Sequence, residues 1–397
     1  MYPAAASVCD RSGWVMARKI LEGVRVVDFT RVVAGPYCTR MLADMGADVV
    51  KVDAPFEAGG KPVRANGSVQ NNLGKRSIAL DLKHPDGIKV ARRLIASTDV
   101  VVENFSPGVM ARLGLGYSEV SADNPRVVYA SISGFGQSGS FSHRRAYGAT
   151  AHAEAGWLWV QQQAQRSPEP FAPGITVADL VTGSTAFAGI LAALYDRERT
   201  GRGQWIDTTL MDAQLHTLSE VAGPALNGAP IEAWQPFRHS VHRTRDGRHI
   251  TINIGEAHNW RRLAAALGHE GTPMPAGPPA ANELVGTWVA ALDAADAASR
   301  LGAVGAPYGL TMTMHEAAAH PYFAERGMIA EVDDALDGRV RAVDSSLFFS
   351  DAESTAAGAA PLAGQHTRAI LEECGYASNA AQALIASGAA QEQAVPA

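Results

Sequence analysis

Apolar positions change spacing repeatedly along the first half of the chain, and the changes predict strands alternating with helices. The run 24-VRVVDF-29 is short and β-branched, the pattern of a strand. After Gly35 and Pro36, 37-YCTRMLADMG-46 carries apolar residues at helical spacing, with Gly46 placed to end the helix. The run 48-DVVKVD-53 predicts a second strand, and such a βαβ unit implies a parallel sheet. Strands are predicted again at 77-SIALDL-82, 99-DVVVEN-104 and 127-VVYASIS-133, with a helix opened by Pro85 and running to Ser97. Near-continuous apolar strands suit burial on both faces. Residues 17–224 therefore read as a Rossmann-like α/β domain with a parallel sheet.

The pattern changes after Pro224. Residues 238-RHSVHRTRDGRHITINIG-255 predict a β-hairpin turning at Asp246-Gly247, followed by a helix over 258–267. The Gly/Pro-rich stretch 268–283 reads as a loop. A smaller α+β domain is expected over 225–325, and strand and helix patterns resume from 326. The Ala-rich tail after Gly375 is expected to fray. Residues 1–16 read as a loose leader, with Met16 an alternative start.

Composition narrows the function. The chain has 397 residues, enough for two sizeable cores, and 47% apolar against 19% charged residues is a globular balance. A net charge of −6 gives no electrostatic reason for a nucleic-acid partner. Cys9, Cys38 and Cys374 are odd in number and far apart, which suits a reducing, cytoplasmic setting better than a disulfide framework. His239, His242, His315 and His320 lack the partners a structural zinc site needs, so no metal is expected. No apolar run is expected to cross a membrane.

The loop 134-GFGQSG-139 matches G-x-G-x-x-G and follows a strand, with Glu154 at a plausible distance for a ribose contact. A dinucleotide fingerprint opens directly into an amphipathic helix in the first βα unit. Here the motif comes late and runs into polar 140-SFSHRR-145, so nicotinamide-dinucleotide binding is not expected.

A single carboxylate stands in the small-residue run 174-GITVADLVTGSTAFAG-189. A helix is predicted from Thr176 to Arg199, with Leu180, Phe187, Leu191 and Leu194 on one face. Asp179 falls in its first turn. It can close a capping box with Thr176, or be the N-cap itself. The same position, at the positive end of a helix and among apolar neighbours, also suits a carboxylate nucleophile. Local sequence leaves capping and catalysis both open.

Six stretches in fixed order carry a resemblance: 23–55, 75-KRSIALDLKHPDG-87, 99-DVVVENFSPGVMARLGLGY-117, 124-NPRVVYASISGFGQSG-139, 199-RTGRGQWIDTTLMDA-213 and 360-APLAGQHTRAILEECGY-376. Together they resemble the class III CoA-transferases, relatives of which include alpha-methylacyl-CoA racemase. The resemblance implies that CoA or acyl-CoA is a substrate, with no permanently bound cofactor. It implies an aspartate nucleophile at Asp179, working through mixed anhydrides and an aspartyl-CoA thioester. CoA contacts carry over to Arg31, Val32, Ala34, Leu80 (near the adenine), Asn104, Phe105, Arg112 and Arg145. The family also implies an interlocked homodimer and a C-terminal segment, 326–397, that returns to the large domain.

Some positions depart from the family pattern. The racemase histidine position is Tyr147, a poor base near neutral pH, so acyl-CoA racemase or epimerase chemistry stands as the alternative. Val33 and Gly148 replace a glutamine and a glutamate of formyl-CoA transferase, and 232–243 replaces its glycine-rich flap. Tyr147, Val33 and Gly148 are expected to line the substrate pocket. Arg144 and 238-RHSVHR-243 are candidates to recognise a second carboxylate, so the expected acceptor is a dicarboxylic acid.

Overall fold

A computed structural model describes residues 18–57, 61–231, 239–254, 256–275, 278–356 and 358–395. The expected leader and Cys9 lie outside these residues, as does most of the 232–243 stretch. The chain forms two compact units, one from Met1–Ala229 with Glu325–Ala397, the other from Pro230–Ala324.

The larger unit is built on β1 (Arg25–Asp28), β2 (Asp48–Asp53), β3 (Arg76–Leu80), β4 (Val100–Glu103), β5 (Val128–Ser133) and β6 (Trp205–Thr209). These six strands are parallel in the order β3-β2-β1-β4-β5-β6. The order reverses between β1 and β4, and in open α/β sheets ligands bind outside the strand carboxyl ends at such a point. Successive strand residues face opposite sides. Val26, Val100 and Val102 pack into one cluster, while Val27 and Val101 pack into another. Both faces are therefore covered, as an all-parallel arrangement requires.

Helices α1 (Ala34–Asp44), α2 (Pro85–Ala96), α3 (Val109–Arg112), α4 (Tyr117–Asp123), α5 (Gly148–Glu154), α6 (Trp157–Gln165), α7 (Val177–Thr200), α8 (Leu210–Thr217) and α9 (Ser219–Leu226) complete this part. Pro85 opens α2 as expected, and His84 accepts from the Asp86 N–H. Pro224, expected to mark a boundary, lies inside α9, which continues to Leu226. The R-T-G-x-G-Q segment is the joint between α7 and β6. Gly201 ends α7 with φ +73°, and the Gly203 N–H bonds Pro125 O at 2.9 Å. A side chain on Gly203 would collide with the Val127 carbonyl.

Against expectation, one helix among the described residues, α7, is long and apolar enough to cross a membrane. Half of its most apolar window is buried, and Ala186, Ile190 and Ala193 pack in the cluster shared with α1 and the sheet. Its small residues serve close packing. A Cβ built on Gly183 would stand 2.5 Å from Ala34 O.

The smaller unit contains β7 (His239–Arg243), β8 (His249–Asn253) and β9 (Tyr308–Leu310) in one antiparallel sheet. The hairpin turns where expected, with Gly247 at φ +83°. It packs with α10 (Ala257–Ala266), α11 (Pro278–Ala290) and α12 (Ala294–Ala303) around Trp260, Leu263, Val285 and Leu301. α11 begins inside the stretch expected to be a loop. α13 (Met314–Ala318) and α14 (Pro321–Glu325) follow.

The chain then forms the hairpin β10 (Ile329–Asp334) and β11 (Gly338–Val343), then α15 (Thr367–Glu373), α16 (Ser378–Ala386) and β12 (Ala390–Gln391). β12 extends the large sheet antiparallel to β3. Over the described residues the tail thus forms a helix and a strand where fraying was expected. Ala381, Ala389 and Ala390 are buried, and the Thr367 hydroxyl donates to Gln391 O at 2.7 Å.

Candidate active site

The loop between β1 and α1 lies at the reversal point of the sheet. Its tip, Val32, has φ +68°, a strained conformation for a β-branched residue, and is exposed. The loop is held from several sides. The Asn104 amide accepts from Arg31 N at 2.8 Å and donates to Arg31 O at 2.8 Å. The Arg31 guanidinium lies 4.6 Å over the Phe105 ring. Lys51 Nζ donates to Thr30 O at 2.7 Å, and Lys75 Nζ to Pro36 O at 3.1 Å. Val33 is the cap position of α1 and supplies no side-chain acceptor, so the first N–H groups of α1 keep no side-chain cap.

Beneath the loop is a buried charge network. Lys75 Nζ contacts Asp28 Oδ2 at 3.0 Å and Thr39 Oγ1 at 2.8 Å, and Lys51 Nζ lies 4.0 Å from Asp28. Burial alone would raise the Asp28 carboxyl. The Lys51 and Lys75 charges, with the Thr30 and Thr39 hydroxyls, outweigh it and hold the group below the usual carboxylate range. Burial lowers the Lys75 ammonium to about 8, against the pull of Asp28. Glu103, under the Asn104 clamp, is pushed up to about 7 by burial, although the Ser131 hydroxyl and Phe105 N–H hydrogen-bond its carboxyl.

The second cluster surrounds Asp179. Thr176 is the cap position of α7, but its hydroxyl donates to the Asp179 carboxylate instead of capping the helix. Asp179 is the third helical residue, not the N-cap. Among the described residues no backbone N–H donates to its carboxylate and no ion pair reaches it. The Ala178 N–H is instead bonded by His152 Nε2 at 3.0 Å. Gly148, the first residue of α5, lies against the carboxylate. A Cβ there would collide with Asp179 Oδ2 and come within 3.2 Å of Thr176 Oγ1. The two clusters meet where Gly183 of α7 rests on the Ala34 carbonyl.

Other expected residues are placed differently. Leu80, expected near the adenine, is 1% exposed in the core, on the strand edge that pairs with β12 at Ala390. Ala34 is buried, whereas Arg112, Arg145 and Tyr147 are exposed. Arg144 is engaged by Glu154 through bonds of 2.9 and 2.6 Å and stacks 4.6 Å over Phe135. The pair occupies both the cation expected for a second carboxylate and the carboxylate placed near a ribose. The glycine motif makes a turn, with Gly136 at φ +92°, Gly139 at φ +86° and the Gln137 N–H bonded to Asp207. No helix follows it directly. Among the described residues no group of three His, Cys, Asp or Glu could hold a metal ion.

The family described as CoA-transferase family III matches residues 21–367. The chain belongs to CoA-transferase family III. This CoA-transferase is 34% identical to an acyl-CoA transferase of Fusarium pseudograminearum (strain CS3096), over 91% of this chain and 86% of that one. It is 30% identical to succinyl-CoA:glutarate CoA-transferase of Mus musculus, over 94% and 91% of the two chains. A crystal structure of a CAIB/BAIF family protein from Brucella suis matches with TM-score 0.75 and 29% identity, covering 90% of this chain and 100% of that one.

In this family III enzyme, three residues at the site escape sequence reasoning: His152, Lys75 and Glu103. Lys75 stands just before a predicted strand and Glu103 near the end of another, where a charged residue reads as a strand end and not as a buried titratable group. The bond from His152 spans 26 residues, beyond any local spacing rule.

Proposed function

We propose that this CoA-transferase moves CoA from an acyl-CoA donor to a dicarboxylic acid, with Asp179 as covalent nucleophile. The observation that carries the reading is the state of Asp179. Its helix is capped by another side chain, no cation pairs with it among the described residues, and glycine replaces any side chain at the adjoining position. The carboxylate is left available for acyl chemistry.

The carboxylate attacks the donor thioester carbonyl, forming a mixed anhydride and expelling CoA thiolate. The thiolate attacks the Asp179 carbonyl, releasing the donor acid and leaving an aspartyl-CoA thioester. The acceptor carboxylate attacks that thioester, again expelling thiolate. The thiolate then attacks the acceptor's carbonyl in the new anhydride, which yields the new acyl-CoA and regenerates Asp179. Every step is acyl transfer, so no proton is gained or lost overall. CoA is read as held at the switch-point loop by Arg31, Val32, Ala34 and Phe105, with Arg112 and Arg145 toward its phosphates. Asn104 acts through the Arg31 backbone it clamps. Tyr147 and Val33 line the acyl side.

A dicarboxylate acceptor is supported by the mouse relative's glutarate activity. Racemase chemistry is less favoured, because the histidine beside Asp179 already has its Nε2 occupied. We also propose a cytoplasmic, interlocked homodimer, as the resemblance to the family implies; exposed Tyr195 (70%) and Leu226 (83%) leave apolar surface that a partner chain could cover. The function is tested by incubating wild type and Asp179→Asn with succinyl-CoA and glutarate. Wild type is expected to form a hydroxylamine-trappable aspartyl thioester and exchange CoA. Asp179→Asn is expected to lose about a thousandfold or more in exchange. Normal exchange in that variant would refute the covalent reading.

A further inference from the structure

We propose that His152 is the positioning residue for Asp179, acting as the N-cap of α7 from a different helix. The inference rests on Asp179 being the nucleophile. An N-cap residue ordinarily accepts a hydrogen bond from the second or third N–H of its helix. In α7 Thr176 holds that place, but its hydroxyl is committed to the Asp179 carboxylate. The second N–H, on Ala178, is fully buried and would lack a partner without His152 Nε2 at 3.0 Å. His152 is itself 2% exposed, and its ring lies 5.0 Å from Trp157, tilted by 35°.

The bond fixes the chemistry of the ring. Nε2 accepts, so the neutral imidazole carries its proton on Nδ1. Burial lowers the imidazole pKa and favours this neutral form, while the Asp179 charge pulls the other way. A protonated ring would have no lone pair to offer the Ala178 N–H.

The geometry gives α5 two holds on the nucleophile. His152 fixes the backbone one residue before Asp179, and Gly148 leaves room for its carboxylate. Thr176 is thereby free to donate to the carboxylate. Loss of the cap would release the first turn of α7 and misplace Asp179, without touching the loop read as holding CoA. The effect belongs in the acylation rate, not in acyl-CoA affinity.

The test compares His152→Gln with His152→Asn. Glutamine can present its carbonyl oxygen near the Nε2 position, whereas asparagine ends short of it. The readouts are the single-turnover rate of aspartyl-CoA formation from succinyl-CoA, and the Kd for succinyl-CoA. His152→Asn is expected to slow acylation at least about tenfold with Kd within about twofold, and His152→Gln to stay within about threefold of wild type in both. Equal acylation rates for the two variants, or a loss confined to Kd, would overturn the proposal. Hydrogen exchange at the Ala178 amide of wild type and His152→Gln decides the matter even where His152→Asn does not fold. Slow exchange in both supports the cap, and fast exchange in folded wild type refutes it. Failure of wild type to form any aspartyl thioester would instead sink the nucleophile reading, while the exchange measurement still reports on the cap.

Discussion

The loop that opens α1 and the corner that carries Asp179 lie in the same unit and are secured in opposite ways. The loop is over-held. Two buried lysines, a reciprocal amide clamp and a stacked guanidinium converge on residues 30–36 and keep Val32 in a left-handed conformation. The Asp179 corner is sparsely held. It has one hydroxyl on the carboxylate, one histidine on the backbone and a glycine where a side chain would collide. A binding loop benefits from rigidity, because ordering it on binding would weaken affinity. A carboxylate nucleophile, the role proposed for Asp179, must keep lone pairs unengaged and leave space for three successive acyl intermediates. The contrast says that strong interactions surround this site and stop short of the Asp179 carboxylate.

Breaking the held side should show most in stability. Lys75→Met leaves Asp28 buried with only Lys51 nearby, and removing one partner of such a pair costs about 3–5 kcal/mol. Urea unfolding checks this, and a loss under about 1 kcal/mol would show that Lys51 alone suffices. Glu103→Gln probes the same side through pH. The Glu103 carboxyl titrates at about 7 in the fold against an ordinary 4.5 in the unfolded chain, so the folded protein binds the extra proton between those values. Wild type should therefore lose stability relative to Glu103→Gln as pH rises from 4.5 to 7, by up to about 3 kcal/mol. Parallel melting curves for the two proteins across that range would contradict it.

The sparse side should respond in rate. Gly148→Ala places a methyl against the Asp179 carboxylate and is expected to lower kcat about a hundredfold with little change in acyl-CoA affinity. An unchanged kcat would mean that the corner has slack. The smallest effect is expected at Val32→Gly. Relief of the left-handed strain should raise stability by about 1 kcal/mol or less and slightly weaken acyl-CoA binding, read by melting and calorimetry.

Much of the scaffold is legible in the sequence because β-branched runs and helical spacing are local. The pattern marks β2 over its full span, Pro85 marks the start of α2, and the limits expected for α7 fall within a residue of the observed ones at each end. The Ala-rich tail misleads for a physical reason. Small residues give weak periodicity, and what orders them is an edge of the sheet more than 300 residues away in sequence. The burial of Leu80 beside β12 and the pairing of Arg144 with Glu154 follow from tertiary structure and carry no local signal. The place of Asp179 in the first turn of α7 is legible, but not that its helix is capped from another element. The residue that caps its helix is a histidine in a segment with no cap signature.

The glycine contact between α7 and α1 sets the spacing of the whole site. Gly183 lies one helical turn beyond Asp179, about 6 Å along the axis at 1.5 Å per residue. At that point α7 rests on the carbonyl of Ala34, the first residue of α1. The gap between the loop and the carboxylate is therefore gauged by a backbone-to-backbone stop, with no flexible side chain to absorb error. Catalytic constellations tolerate displacements of only about 0.5 Å. Under the proposed assignment of the acyl side, a redesign for longer or shorter acyl groups would vary Val33 or Tyr147 and leave positions 148 and 183 without a side chain.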